Sequence, residues 1–237
     1  MSMPMESAIN NWPTTLEEAR VIQEQLRAQV ITEDVLGEVH TIAGVDAGYE
    51  GELARAAIVV LAYPSLEPLD YALARRPAPF PYVPGFLSFR ETPAVLAALD
   101  ELRIQPDLLM CDGQGIAHPR RLGIASHIGV LTSLPSIGCA KSLLTGRHTE
   151  VPAERGAYVP LTNKGEQIGV VLRSRTGVKP LYISIGHKIS LPTAIQYVLA
   201  CLTKYRLPEP TRAADGLASH GKIPVIAASG EQRSLFS

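Results

Sequence analysis

The chain reads as an α/β fold, a mixed β-sheet of three antiparallel strands followed by parallel strands, with helices on both faces. Three observations predict it. Strand-like runs near the start are joined by connections of a few residues, which suit antiparallel neighbours. Helical and strand-like segments then alternate, the pattern of crossovers to parallel positions. The short run Leu108-Leu109-Met110-Cys111 is apolar throughout, as a strand buried on both faces would be. No low-complexity linker interrupts the 237 residues, so one domain is expected, with residues 1–12 and 218–237 as tails.

Thr14 and Thr15 precede Glu17 and Glu18 at capping-box spacing, and Leu16, Ala19, Ile22, Leu26 and Val30 follow at helical intervals, an amphipathic helix. Residues 40–49, 54–63 and 66–75 are the three early strands, linked by Glu50-Gly51-Glu52 and Pro64-Ser65. Ala94, Val95, Ala97, Ala98, Leu99 and Leu102 describe a helix, and Pro106-Asp107 introduces the strand over 108–111. Residues 122–133 read as a helix and 136–140 as a strand. Residues 167–175 and 181–185 read as an antiparallel pair, and 193–205 as a helix behind Pro192. A last helix begins near Pro210. This outline fits the ribonuclease-H-like architecture and several other α/β layouts, and fold class alone does not settle function.

Composition narrows the partners. With 22 basic and 23 acidic residues the formal net charge is −1, so a nucleic acid would have to be met by a local basic patch. Cys111, Cys139 and Cys201 form no CxxC pair, which suits reduced thiols in a cytoplasmic protein. No run is long enough to span a bilayer, so no membrane association is expected. Gly113-Gln114-Gly115 follows a strand, but His118 stands where a dinucleotide fingerprint needs its third glycine, so no organic cofactor is expected.

Two aspartates lie in or beside apolar strands. Asp46 interrupts Ile42-Ala43-Gly44-Val45, where an unpaired buried charge is expensive. Asp112 ends the 108–111 run and is followed by Gly113. Either alone reads equally well as a turn or cap residue; together they suggest adjacent strands presenting carboxylates. Glu91 has two readings. With Ser88 it makes a capping box, but a helix starting there would carry Pro93 inside it, whereas Thr92 as cap puts Pro93 at the favoured first position. The second start is expected, leaving Glu91 outside the helix and free to point at Asp46 and Asp112. Asp215 falls in the early turns of the last helix, where an acid also suits the dipole. Carboxylates without histidine or cysteine at ligand spacing suit a hard divalent ion, Mg²⁺ before Zn²⁺, and such ions drive phosphoryl chemistry. Lys141 follows the 136–140 strand at the same sheet end. Residues 80–91 begin with Tyr82 held between Pro81 and Pro84, either a turn with its aromatic packed inward or a stiff tip suited to insertion between bases. Arg120 and Arg121 either approach nucleic acid or are solvated.

These residues occur in an ordered set: Ile42-Ala43-Gly44-Val45-Asp46, Tyr63-Pro64-Ser65-Leu66-Glu67, Pro81-Tyr82-Val83-Pro84-Gly85-Phe86-Leu87-Ser88-Phe89-Arg90-Glu91, Asp112-Gly113-Gln114-Gly115, His118-Pro119-Arg120-Arg121-Leu122-Gly123, Ile137-Gly138-Cys139-Ala140-Lys141 and Leu207-Pro208-Glu209-Pro210-Thr211-Arg212. The set resembles bacterial endonuclease V, the deoxyinosine 3′ endonuclease, from the first helix to about Asp215. The resemblance implies a ribonuclease-H-like, Mg²⁺-dependent DNA repair nuclease, with Mn²⁺ as a substitute. It would act on DNA with deaminated bases, chiefly deoxyinosine, and cut the second phosphodiester 3′ to the lesion. It implies that Asp46, Asp112 and Glu91 bind metal and act in catalysis, with Asp215 a further metal ligand. Lys141 would stabilise the transition state, and His118 would lie near pocket and metal. Tyr82, with Pro81, Val83 and Pro84, would be the DNA wedge, and Gly85, Leu87, Gly113, Ile124 and Leu144 the lesion pocket. Backbone contacts would come from Arg120, Arg121 and Arg173. A monomer suffices. An inosine-specific ribonuclease and a non-cutting lesion-binding protein are the alternatives.

Overall fold

A computed structural model describes residues 12–226. An eight-stranded mixed sheet forms the centre, in the ribonuclease-H-like arrangement expected. Strands β1 (Thr41–Glu50), β2 (Leu53–Ala62) and β3 (Pro68–Pro77) form an antiparallel meander. β4 (Leu108–Cys111) and β5 (Ser136–Ala140) join in parallel beside β1. β6 (Tyr158–Asn163), β7 (Glu166–Leu172) and β8 (Leu181–His187) complete the order β3-β2-β1-β4-β5-β8-β7-β6, with β8 antiparallel to β5. β6 has no counterpart among the expected strands. It is an edge strand carrying Pro160, so it lacks the apolar alternation of an internal strand.

Side-chain alternation along β1 and β4 divides the core. Ala43, Val45, Leu109 and Cys111 face helices α2 (Ser88–Asp100) and α3 (Ile124–Thr132). Ile42, Leu108 and Met110 face α4 (Leu191–Ala200), while Ala57, Val59 and Leu61 of β2 meet α5 (Glu209–His220). α1 (Leu16–Arg27) is capped by the expected box between Thr15 and Glu18 and packs its short apolar side near the aromatic cluster Phe80, Phe86 and Phe89. α5 runs to His220, with Ala218 buried against β2, so helix continues past the expected tail boundary at 218. The remainder of that tail beyond 226, and residues 1–11, lie outside the described residues.

The start of α2 corrects the sequence reading. The helix begins at Ser88, so Glu91 lies in its first turn and Pro93 is inside it. Pro93 has no N–H for the carbonyl of Phe89, four residues back. Trp12 supplies the missing donor: its indole Nε1 bonds to Phe89 O at 2.7 Å, and its ring lies against Phe89 and stacks on His127. A residue from the far end of the chain thus satisfies the helix defect that made this start look unfavourable.

Candidate active site

The parallel register pairs Val45 with Cys111, and Asp112 N donates to Val45 O at 2.8 Å, so Asp46 in the middle of β1 and Asp112 just past the end of β4 emerge side by side. The third acid arrives by close packing. Gly44 shares the Asp46 face of β1, and a Cβ there would lie 1.8 Å from Pro210 O; only glycine lets the start of α5 cross this strand. That crossing brings Asp215 in, and one oxygen from each of Asp46, Asp112 and Asp215 lies within 4.8 Å of the others. Lys141 follows β5 and bridges two of them, Nζ to Asp112 Oδ2 at 2.5 Å and to Asp215 Oδ1 at 2.8 Å.

Asp215, expected equally as a helix-dipole partner, is therefore a full member of the cluster. Glu91 is not among the three closest acids. It approaches from the face on which α2 packs and is held by the Tyr49 hydroxyl at 3.0 Å. It still lines the same cavity as Asp112 and Lys141.

The electrostatics are those of too many acids for one cation. Burial, then the neighbouring charge of Asp112, pushes Asp46 up to about 7, with Lys141 opposing. Burial likewise raises Glu91 to about 7, against the hydrogen bond from Tyr49 and the charge of Arg90. Burial disfavours the Lys141 ammonium, but its bonds to Asp112 and Asp215 outweigh that and push its pKa up. His118 is pushed down to about 4 by burial and the nearby Arg120, so its ring is neutral at physiological pH.

A cavity of about 310 Å³ opens beside these groups. Gly85, Leu87, Gly113, Ile124 and Leu144 all line it, together with His118. Gln114, Ser142 and Leu143 also line it and were not singled out from sequence; Gln114 Nε2 donates to Ser142 O at 2.9 Å, closing one side. Gln114 was visible within the Asp112–Gly115 motif, whereas nothing local marked 142–143. In the loop that precedes Gly85, Tyr82 is 66% exposed between exposed Pro81 and Pro84, while Val83 is half-buried against the aromatic cluster. This excludes the inward-packed turn. Phe80 and Phe86 anchor the loop, and Arg90 Nη1 holds Phe80 O at 2.6 Å.

The three arginines expected at the DNA backbone also make contacts within the protein. Arg120 is bonded to Gln23 and to Gly85 O. Arg121 is bonded to Glu166, Asn163 and His118 O, and Arg173 to the carbonyls of Val151, Pro152 and Val178. Arg173 satisfies loop carbonyls alone, whereas Arg120 and Arg121 divide their donors between side chains and one carbonyl each.

The donor set fits a hard divalent ion. Carboxylate oxygens alone converge, and two acids are held near neutrality for want of positive charge, a condition that a cation would relieve.

The family model for endonuclease V matches residues 24–216. The endonuclease V of Roseiflexus castenholzii is 66% identical over 218 residues, covering 92% of this chain and 98% of that protein. The crystal structure of endonuclease V from Streptomyces avermitilis superposes with a TM-score of 0.84 at 45% identity, covering 89% of this chain and 94% of that one. A Ciona intestinalis endonuclease V bound to a 23mer DNA containing an inosine followed by a ribo-adenosine superposes with a TM-score of 0.74 at 31% identity, covering 87% and 96%.

Proposed function

The chain belongs to the endonuclease V family and is a deoxyribonuclease, and from that premise we propose that it recognises deaminated bases in DNA, chiefly deoxyinosine. It hydrolyses the second phosphodiester bond 3′ to the lesion with Mg²⁺, leaving 3′-hydroxyl and 5′-phosphate ends. The observation that carries this reading is a shared chamber: one cavity is lined both by Glu91, Asp112 and Lys141 and by the small and apolar groups Gly85, Leu87, Ile124 and Leu144. A base entering it is brought beside the acids.

The steps assigned to the chain follow from that arrangement. Extruding a base costs a few kcal/mol, least for a weakened pair, and the exposed Tyr82 ring fills the vacancy. The narrow wall of Gly85 and Gly113 lets backbone approach the base edge. Hypoxanthine lacks the exocyclic amine of guanine and carries a carbonyl where adenine has an amine, so a close fit excludes both normal purines. Asp46, Asp112 and Asp215, with Glu91 opposite, would hold the divalent ion, which when bound supplies an activated water and neutralises charge on the phosphodiester. Lys141, bonded to Asp112 and Asp215, keeps an ammonium beside these carboxylates, where it would face the non-bridging oxygens of the phosphodiester. His118, neutral and buried, shapes the wall without carrying charge, its Nδ1 accepting from Arg120 N at 3.2 Å.

The ribo-adenosine after the inosine in the Ciona intestinalis complex favours one second reading, cleavage of inosine in RNA. Matched DNA duplexes with inosine, uracil or no lesion, and the same inosine sequence in RNA, separate the readings when products are mapped to the nucleotide. Nicking of inosine DNA at the second 3′ phosphodiester is expected. Faster RNA cleavage would transfer the assignment to RNA, and binding without nicking would make this a recognition protein.

A further inference from the structure

Gln23 is a polar side chain in an unusual place: it is fully buried, on the same side of α1 as Ala19, while Val21 of that helix is 48% exposed. Its Nε2 donates to Gly85 O at 2.9 Å, and its Oε1 accepts from Arg120 Nε. Arg120 Nη2 donates to the same Gly85 oxygen at 2.5 Å, and its guanidinium lies 4.1 Å from the centre of the Phe86 ring. On the other side of that peptide, Phe86 N donates to Val83 O at 3.0 Å. Both polar groups of the Gly85–Phe86 peptide are therefore tied, and Gly85 itself sits at φ +81°, where a Cβ would come within 2.8 Å of Arg120 Nη2.

Each hydrogen bond of a buried glutamine contributes only about 1 kcal/mol net, because it replaces one made to water. What such a group does supply is geometry. A carbonyl held by two donors, one of them charged, cannot turn without breaking both. The peptide it belongs to stands between the exposed Tyr82 and Glu91, and Gly85 lines the cavity.

We propose that Gln23, acting with Arg120, is a positioning residue for lesion recognition: it fixes the Gly85–Phe86 peptide, and with it the wall of the base pocket and the reach from Tyr82 to Glu91. This rests on the reading of the cavity as the pocket for the extruded base. Arg120 thereby acts inside the protein on the recognition loop, in place of the phosphate contact expected of it.

Two variants test this. Gln23→Met removes both polar groups at similar length; Gln23→Glu keeps an acceptor for Arg120 and replaces the donor to Gly85 by an oxygen that repels its carbonyl. Affinity for inosine and undamaged duplexes is measured by fluorescence anisotropy in EDTA, Mn²⁺ affinity by electron paramagnetic resonance, and folding by thermal melting. In both variants the preference for inosine over undamaged DNA falls about tenfold while Mn²⁺ affinity is unchanged. Folded variants with undiminished preference, or with Mn²⁺ affinity lost in step, overturn the proposal. Absence of any inosine preference in the unaltered protein instead removes the pocket reading, and this inference with it.

Discussion

Replacing Asp46 by Asn should abolish nicking and yet make the metal-free protein more stable at alkaline pH. The folded state raises Asp46 from 3.8 to about 7, so folding resists its ionisation. Stability associated with this group is complete below the unfolded pKa and is lost as pH rises through about 7. Roughly three pKa units at 1.36 kcal/mol each set the penalty at pH 8 at about 4 kcal/mol. Asparagine keeps the shape without the charge, and because the net shift already includes the attraction of Lys141, a gain of about 4 kcal/mol is expected. Urea melts in EDTA at pH 5 and pH 8 provide the measurement, with the gap between variant and parent closing toward pH 5, where the parent's Asp46 is already largely protonated. Mg²⁺ should then stabilise the parent, by about 2.7 kcal/mol at a hundredfold excess over its dissociation constant, and the variant much less. A variant less stable than its parent in EDTA at pH 8, or a gap independent of pH, would refute the picture of an acid cluster short of positive charge.

Tyr82→Ala removes an exposed ring whose stacking is worth about 1–3 kcal/mol, so inosine-duplex affinity should fall about ten- to hundredfold with divalent-ion affinity intact; equal loss of both would make the loop purely structural. Gly44→Ala places a methyl against Pro210 O and should cost about 1–3 kcal/mol of stability while lowering nicking further than the stability loss explains, because α5 carries Asp215; unchanged nicking would detach Asp215 from the site. Trp12→Phe deletes the donor to Phe89 O and should cost about 1 kcal/mol in chemical denaturation, a cost that shrinks in a Pro93→Ala background where the helix regains its own N–H. An equal cost in both backgrounds would leave the indole bond without the role given to it here.

Much of the site was legible because its parts are local. Asp46 within an apolar strand and Asp112 at the end of another announced themselves by cost: an acid there needs compensation. Tyr82 between two prolines read either as a packed turn or as a stiff tip, and its exposure decided for the tip. Short connections and the uniformly apolar 108–111 run determined the mixed sheet and its helical layers. Other features were decided only by contacts between distant residues. Proline geometry argued for a helix starting after Thr92, and Trp12, 77 positions from the carbonyl it serves, reversed that preference. Asp215 read as a dipole partner until Gly44 let α5 cross β1. Arg120 and Arg121 read as surface cations because sequence cannot display the distant groups they bond, Gln23 and Gly85 O for one, Glu166 and Asn163 for the other. Local periodicity and the expense of burying charge are properties of neighbouring residues and survive in sequence; which donor meets which acceptor across the fold is settled only when the chain closes on itself.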